Sequence, residues 1–235
     1  NLQRIAEVIK RTNADIIGLQ EVSNPAMVAE LGRLTNMNGV FGPSTEIEPP
    51  NLYNLLNIPV PKSQLFYGDA ILSKHPFEYI GNISIPSASS SRYQAMCTDI
   101  DLSKIYGKGS IIRFITTHFD YLNTIGSNAA RKATVEVIEN AFFNDPINKP
   151  AILTGDFNVT PDSEPIRLLQ KNGWVYENLG ENYYTIPTEN PTKQIDYVLP
   201  RPANKWRIIA VEVIDAPVAS DHLPVLMTLE LISDD

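Results

Sequence analysis

Five short apolar segments end, or nearly end, in polar groups that a buried strand has no structural need to carry. They are Gln20-Glu21, Thr117-His118-Phe119-Asp120, Gly155-Asp156-Phe157-Asn158, Gln194-Ile195-Asp196 and Ser220-Asp221-His222. A single acid after a strand is usually a helix cap or a turn former. Five such endings carry more weight, because open α/β sheets bind ligands in the crevice outside the strand ends, where these groups would meet. Glu21, Asp156, Asp196 and Asp221, with the amide of Asn158, form an oxygen-rich set suited to a hard cation such as Mg2+ or Mn2+. Without a cation, four acids in one crevice would repel each other strongly. Zinc fits less well, since only His118 and His222 are placed to supply nitrogen and the sequence has a single cysteine, Cys97.

The neighbours Asp221 and His222 can divide labour, the carboxylate holding metal while the imidazole contacts a phosphate group or a water. Asp196 is placed to accept the second ring N–H and so orient that imidazole, although capping the Tyr197 strand or pairing with Lys193 would also account for it. His75, in Ser73-Lys74-His75-Pro76, reads as a turn residue, and Cys97 as a small buried residue in the alternation over 95–100.

Positioning these groups requires a framework of strands and covering helices. The spacing of Leu2, Ile5, Ala6, Val8 and Ile9 predicts an amphipathic helix, with Gln3, Arg4, Glu7, Lys10 and Arg11 on the opposite face. Buried strands are expected at 15–21, 70–73, 111–117, 151–154, 195–199, 208–213 and 225–231, and helices at 129–143 and 163–171. Several strand-to-strand passages carry no helix, which predicts a mixed α/β sandwich rather than a purely parallel sheet. The segment 42–64 holds prolines at 43, 49, 50, 59 and 61 and reads as a long loop with at most a helical turn around 52–56; 84–91 reads as a second polar loop.

A chain of 235 residues, 43% apolar and 20% charged, can bury a full core, and no linker or tandem repeat divides it, so one domain over 1–235 is expected. No stretch approaches the roughly 18 apolar residues of a membrane span. The net charge of −8 disfavours extended attachment to nucleic acid, which needs many Lys and Arg contacts to phosphates. It leaves room for one phosphate group held by a local cluster, because screening confines charge effects to about 10 Å. A monomer is expected. The lone cysteine leaves the compartment open, and a first residue of Asn1 leaves room for a removed leader, so a cytoplasmic or an exported protein fits.

Six motifs in order, Ala14-Asp-Ile-Ile-Gly-Leu-Gln-Glu-Val22, Gly68-Asp-Ala-Ile-Leu-Ser-Lys74, Thr116-Thr-His-Phe-Asp120, Leu153-Thr-Gly-Asp-Phe-Asn158, Gln194-Ile-Asp-Tyr-Val198 and Ser220-Asp-His-Leu-Pro224, resemble the endonuclease/exonuclease/phosphatase superfamily over essentially the whole chain. The resemblance implies a four-layer sandwich, two packed mixed sheets flanked by helices, with the site in a cleft at one rim. It implies a Mg2+-dependent hydrolase of phosphate esters, with Mn2+ as an alternative ion. Glu21 would be the main metal ligand and Asp221 would lie near or on the metal. Asp156 would position or deprotonate the attacking water, and Asn158 would hold a phosphate oxygen. His222, oriented by Asp196, would contact the phosphate and move a proton, and His118 would donate to a non-bridging or leaving oxygen. Arg131 matches a position where the family often has a basic residue that binds substrate.

One departure stands out: the family normally opens with a strand carrying an Asn of the metal site, and this sequence starts after it. The acidic charge favours a small phosphodiester or phosphomonoester, such as a lipid head group or a sugar phosphate. Nuclease action on DNA or RNA ends is the runner-up, with Phe66, Tyr67, Tyr93, Phe119 and Tyr121 as candidate base-stacking residues. A catalytically idle member that binds a partner in its cleft is the reading from a different class.

Overall fold

The amphipathic N-terminal segment forms α1 (Leu2–Thr12), which turns Ala6 and Ile9 inward and leaves its basic residues outside. The computed structural model describes residues 2–46, 66–89, 91–144, 149–177 and 180–232. After α1 come β1 (Ile16–Val22), α2 (Pro25–Thr35), β2 (Asn38–Glu46), β3 (Phe66–Ser73), β4 (Phe77–Ile85) and β5 (Tyr93–Asp101). The short α3 (Ser103–Tyr106), β6 (Ile111–His118), α4 (Ile125–Phe142), β7 (Ala151–Asp156), α5 (Glu164–Lys171), β8 (Asp196–Arg201), β9 (Trp206–Val213) and β10 (Val225–Leu231) complete the order.

Five strands form one mixed sheet in the order β4-β5-β6-β7-β8, in which only β6 and β7 run parallel, joined through α4. The facing layer consists of a three-stranded antiparallel sheet, β1-β3-β2, and a separate antiparallel ribbon of β9 and β10. Three apolar cores lie between four layers. Ala6, Ile9, Val28 and Leu31 of α1 and α2 meet Val22, Ala70 and Leu72 of the small sheet. Ile71, Met96, Ile112, Phe114, Ile152 and Trp206 fill the space between the strand layers. Val135, Ile138, Ile166 and Leu169 of α4 and α5 cover Cys97, Ile115 and Leu153 on the outer face of the large sheet. Each fully buried Leu or Ile in these cores contributes roughly 1.5–3 kcal/mol. The architecture is thus the expected mixed α/β sandwich, packed sheets flanked by helices, except that the second strand layer is two hydrogen-bonded pieces among the described residues.

The expected loop over 42–64 begins too early, because β2 continues through Gly42 and Pro43 to Glu46. Proline is tolerated there since β2 pairs only with β3 and stands at the sheet edge, where a missing N–H costs no ladder bond. The helical turn expected around 52–56 lies outside the described residues. The polar loop over 84–91 starts later than expected, since Ser84 and Ile85 still pair with Gln94 and Tyr93 in β4 and β5. Helix α2 has a stop and start legible in its own residues: the Asn24 side chain accepts from the Met27 N–H at 3.1 Å, Pro25 opens the first turn, and Asn36 closes the helix in the left-handed region.

Candidate active site

The site lies along one rim of the strand layers, and each contributor reaches it by a local feature of its strand. His118 and Asp156 are the last residues of the parallel neighbours β6 and β7 and sit directly opposite each other in register. Keeping that register requires Gly155, whose φ is +151° and at which a Cβ would stand 1.9 Å from the Thr117 carbonyl oxygen. Asp196 was expected at the end of its strand, but it is the first residue of β8. Because β8 runs antiparallel to β7, that start falls beside Asp156 on the same rim. Alternation sends the next side chains the other way: Phe119, Phe157 and Tyr197 are buried in the core beneath the site, with ring centroids 4.6 and 5.0 Å apart in a continuous stack.

His118 is buried, with Nε2 3.5 Å from an Asp156 oxygen, Nδ1 3.9 Å from a Glu21 oxygen, and its ring packed edge-on to Tyr93 at 5.1 Å. Burial pushes its pKa below the ordinary value, with the Glu21 charge opposing, so the ring is neutral near pH 7. Asp156 accepts the Asn158 backbone N–H at 2.8 Å. Burial, and then the charge of Asp196, push the Asp156 carboxyl up to about 8. Asn158 sits at φ +51°, a conformation that Asn tolerates, and its side-chain amide donates to the Phe119 carbonyl at 3.0 Å, tying the exits of β6 and β7 together.

The loop before β10 delivers Asp221 and His222. His222 Nδ1 lies 2.9 and 3.1 Å from the two Asp196 oxygens. Burial alone would lower the pKa of His222, but the hydrogen bond to Asp196 and the charges of Asp196, Asp156 and Asp221 raise it to about 9. Thr185, fully buried, donates its hydroxyl to Asp196 at 2.5 Å and accepts the Leu223 N–H on its carbonyl at 2.8 Å. One residue thus fixes both the carboxylate and the loop carrying the imidazole. Asp221 is exposed, with Ser220 Oγ 3.3 Å from its carboxylate. Glu21 closes the other side of the rim, its side chain 62% exposed.

The structure therefore brings Glu21, His118, Asp156, Asn158, Asp196 and His222 to one rim, with Asp221 on the adjoining loop. Among the described residues, Asp156, Asp196 and His222 form a metal-type set whose ligand atoms lie within 4.8 Å of one another; Glu21 and Asp221 are not part of that set. A hard cation fits this chemistry, because burial first, and then the charges of neighbouring carboxylates, leave Asp69 and Asp156 holding protons well above their ordinary range. Arg131 is buried within reach of the Asp156 charge, and its terminal nitrogens donate to the carbonyls of Asp120 and Leu122 at 2.6 and 2.9 Å and to the Asn128 side chain. Its position braces the loop that follows His118. Among the aromatic candidates, Phe119 and Tyr93 are buried and Tyr121 is 57% exposed; the side chains of Phe66 and Tyr67 lie outside the described set.

Two site residues escaped the sequence reading. Thr185, in Tyr184-Thr185-Ile186, carries no pattern that singles it out. Asp69 did leave a signal, an acid inside the apolar run of β3. It is 3% exposed, and burial first, then the charges of Glu21 and Asp156, raise its pKa well above the ordinary value.

A family model described as Endonuclease/Exonuclease/phosphatase family matches residues 1–222. Among solved structures, a Bacteroides vulgatus endonuclease/exonuclease/phosphatase shares 20% identity at a TM-score of 0.73, over 98% of this chain and 90% of that one. The Bacteroides thetaiotaomicron mannosyl-6-phosphatase Bt3783 shares 15% at 0.72, over 98% and 90%. A Beutenbergia cavernae endonuclease/exonuclease/phosphatase shares 20% at 0.70, and there this chain, 98% covered, spans 66% of the other's length. No curated protein matches the sequence.

Proposed function

The chain belongs to the endonuclease/exonuclease/phosphatase family, and from that premise we propose that it is a Mg2+-dependent phosphoesterase that hydrolyses its substrate by direct attack of water on phosphorus. The observation that carries this reading is the held imidazole of His222. Its Nδ1 is taken by Asp196, which leaves Nε2 for a substrate oxygen, and its raised pKa keeps it charged at neutral pH.

In the proposed reaction the ionised form of Asp156, which a bound cation would favour by offsetting the charges of Asp196 and Glu21 that, after burial, raise its pKa, takes a proton from the attacking water as the water oxygen bonds to phosphorus. The ester P–O bond opposite breaks, and the leaving oxygen is protonated from the histidine side of the site. Neutral His118 can donate one ring N–H to a phosphate oxygen, and Asn158 has a second amide hydrogen beyond the one given to Phe119. Glu21 and Asp221 would hold the cation, because Asp196 and His222 are already committed to each other and to Thr185. When bound, the cation supplies neutralisation of charge on the phosphate oxygens.

The substrate class we favour is a small phosphodiester or phosphomonoester, such as a lipid head group or sugar phosphate. A net charge of −8 and the engagement of Arg131 with its own loop support this over a long nucleic acid. A nucleic-acid end has one observation in its favour, the exposed ring of Tyr121 three residues after His118.

The test is hydrolysis of bis-p-nitrophenyl phosphate and p-nitrophenyl phosphate with Mg2+, Mn2+ or chelator, extended to lipid, nucleotide and oligonucleotide-end esters. Activity that requires the cation supports the reading. Silence on every ester class, together with no cation binding, would favour a partner-binding cleft.

A further inference from the structure

Asp69 has no part in the reaction just described, and an acid in its place is costly: its strand neighbours Ala70, Ile71, Leu72 and Ser73 are all fully buried. What it faces gives the reason. In β1, Ile17 and Leu19 pack against the helix-side core, while Ile16 packs between the strand layers, a Cβ on Gly18 would meet Thr116 and Thr154 there, and Gln20 donates to Thr116 at 2.7 Å. Strict alternation would send residue 21 into the helix-side core next. Instead Val22 takes that core place and Glu21 is exposed.

The ladder shows how. Leu19 pairs with Ala70 and Val22 with Gly68, so Gln20 and Glu21 together stand opposite Asp69 alone: Glu21 is the extra residue of a bulge. Its φ of +58° is the left-handed region that a glutamate rarely adopts, and its backbone N–H is bonded to the Asp69 carboxylate.

We propose that Asp69 is a positioning residue for Glu21. By accepting the Glu21 N–H it holds the bulge that turns the Glu21 carboxylate out of the core and into the cleft. The proposal rests on the reading of Glu21 as a ligand of the cation, and it makes Asp69 a second-layer determinant of cation affinity that touches neither substrate nor ion.

The experiment compares wild type, Asp69→Ala and Asp69→Asn by Mn2+ titration followed by electron paramagnetic resonance and by hydrogen exchange at the Glu21 amide. Asp69→Ala should weaken Mn2+ binding by roughly 10–100-fold, the usual cost of losing a partner behind a metal ligand, and should speed exchange at Glu21. Asp69→Asn, whose amide oxygen can accept the same N–H, should restore both. If the alanine variant does not fold by circular dichroism, Asp69→Thr replaces it, since threonine suits a strand and its hydroxyl is too short to reach the amide. Wild-type binding of Mn2+ with unchanged affinity in the variant overturns this proposal alone. A wild-type protein that binds no Mn2+ overturns the cation reading of Glu21 and this proposal with it.

Discussion

Nδ1 of His222 is held 2.9 Å from Oδ2 of Asp196, and Thr185 holds that same oxygen from the other side at 2.5 Å. The carboxylate therefore sets both the orientation of the imidazole and its charge. Replacing Asp196 by Asn keeps the shape and removes the charge. Turnover should fall by about 10²–10⁴, the range for lost acid–base assistance. The alkaline limb of the pH–rate profile should move from about 9 toward the ordinary histidine value of 6.5. A profile unchanged in Asp196→Asn would detach His222 from the reaction.

The same shifts act on stability. His222 is raised from 6.5 to about 9 and Asp156 from 3.8 to about 8, so both groups hold protons more tightly folded than unfolded. Their contribution is fully present below the unfolded values and is lost as pH rises through the folded ones. Metal-free protein should therefore lose stability in urea titrations as pH rises from 3.8 to about 9, through Asp156 up to about 8 and through His222 from 6.5 onward. Adding Mg2+ at 100 times its dissociation constant should restore about 2.7 kcal/mol. A metal-free stability that rises across that window, or no response to Mg2+, would contradict the crowded-carboxylate description.

Away from the site, Arg113 of β6 and Asp99 of β5 form a buried ion pair at 2.9 Å, and Lys149 adds a second cation at 2.6 Å. Asp99→Ala would strand the guanidinium in the core, a change that costs about 3–5 kcal/mol. Urea denaturation should register that loss while kcat per folded molecule stays near wild type.

Much of this arrangement was legible in the sequence because it follows from periodicity. The apolar runs leading to Glu21, His118 and Asp156 are strands that do reach one rim, and the spacing of Leu2 to Ile9 is the helix that covers the first of them. Asp196 was legible as a rim residue but not as the start of β8, since strand direction depends on which neighbour pairs with it and not on its own residues. The full extent of β2 was hidden by Pro43, whose tolerance depends on an edge position that only the assembled sheet defines. Arg131 has the sequence of a surface helix residue, and only the packed 119–124 loop reveals its burial. The bulge at Glu21 was hidden for the same reason: its partner, Asp69, lies in another strand.

The central claim is that Asp156 acts on water within a metal-dependent phosphoesterase site. Its most direct test is the Asp156→Asn protein, assayed for ester hydrolysis with Mg2+ and melted without it. Near pH 7 Asp156 must take up a proton on folding, whereas Asn is neutral in both states and keeps the shape, so the metal-free melting temperature should be equal or higher. Hydrolysis should fall by about 10²–10⁴. Full activity in the variant, at any melting temperature, would contradict the assignment.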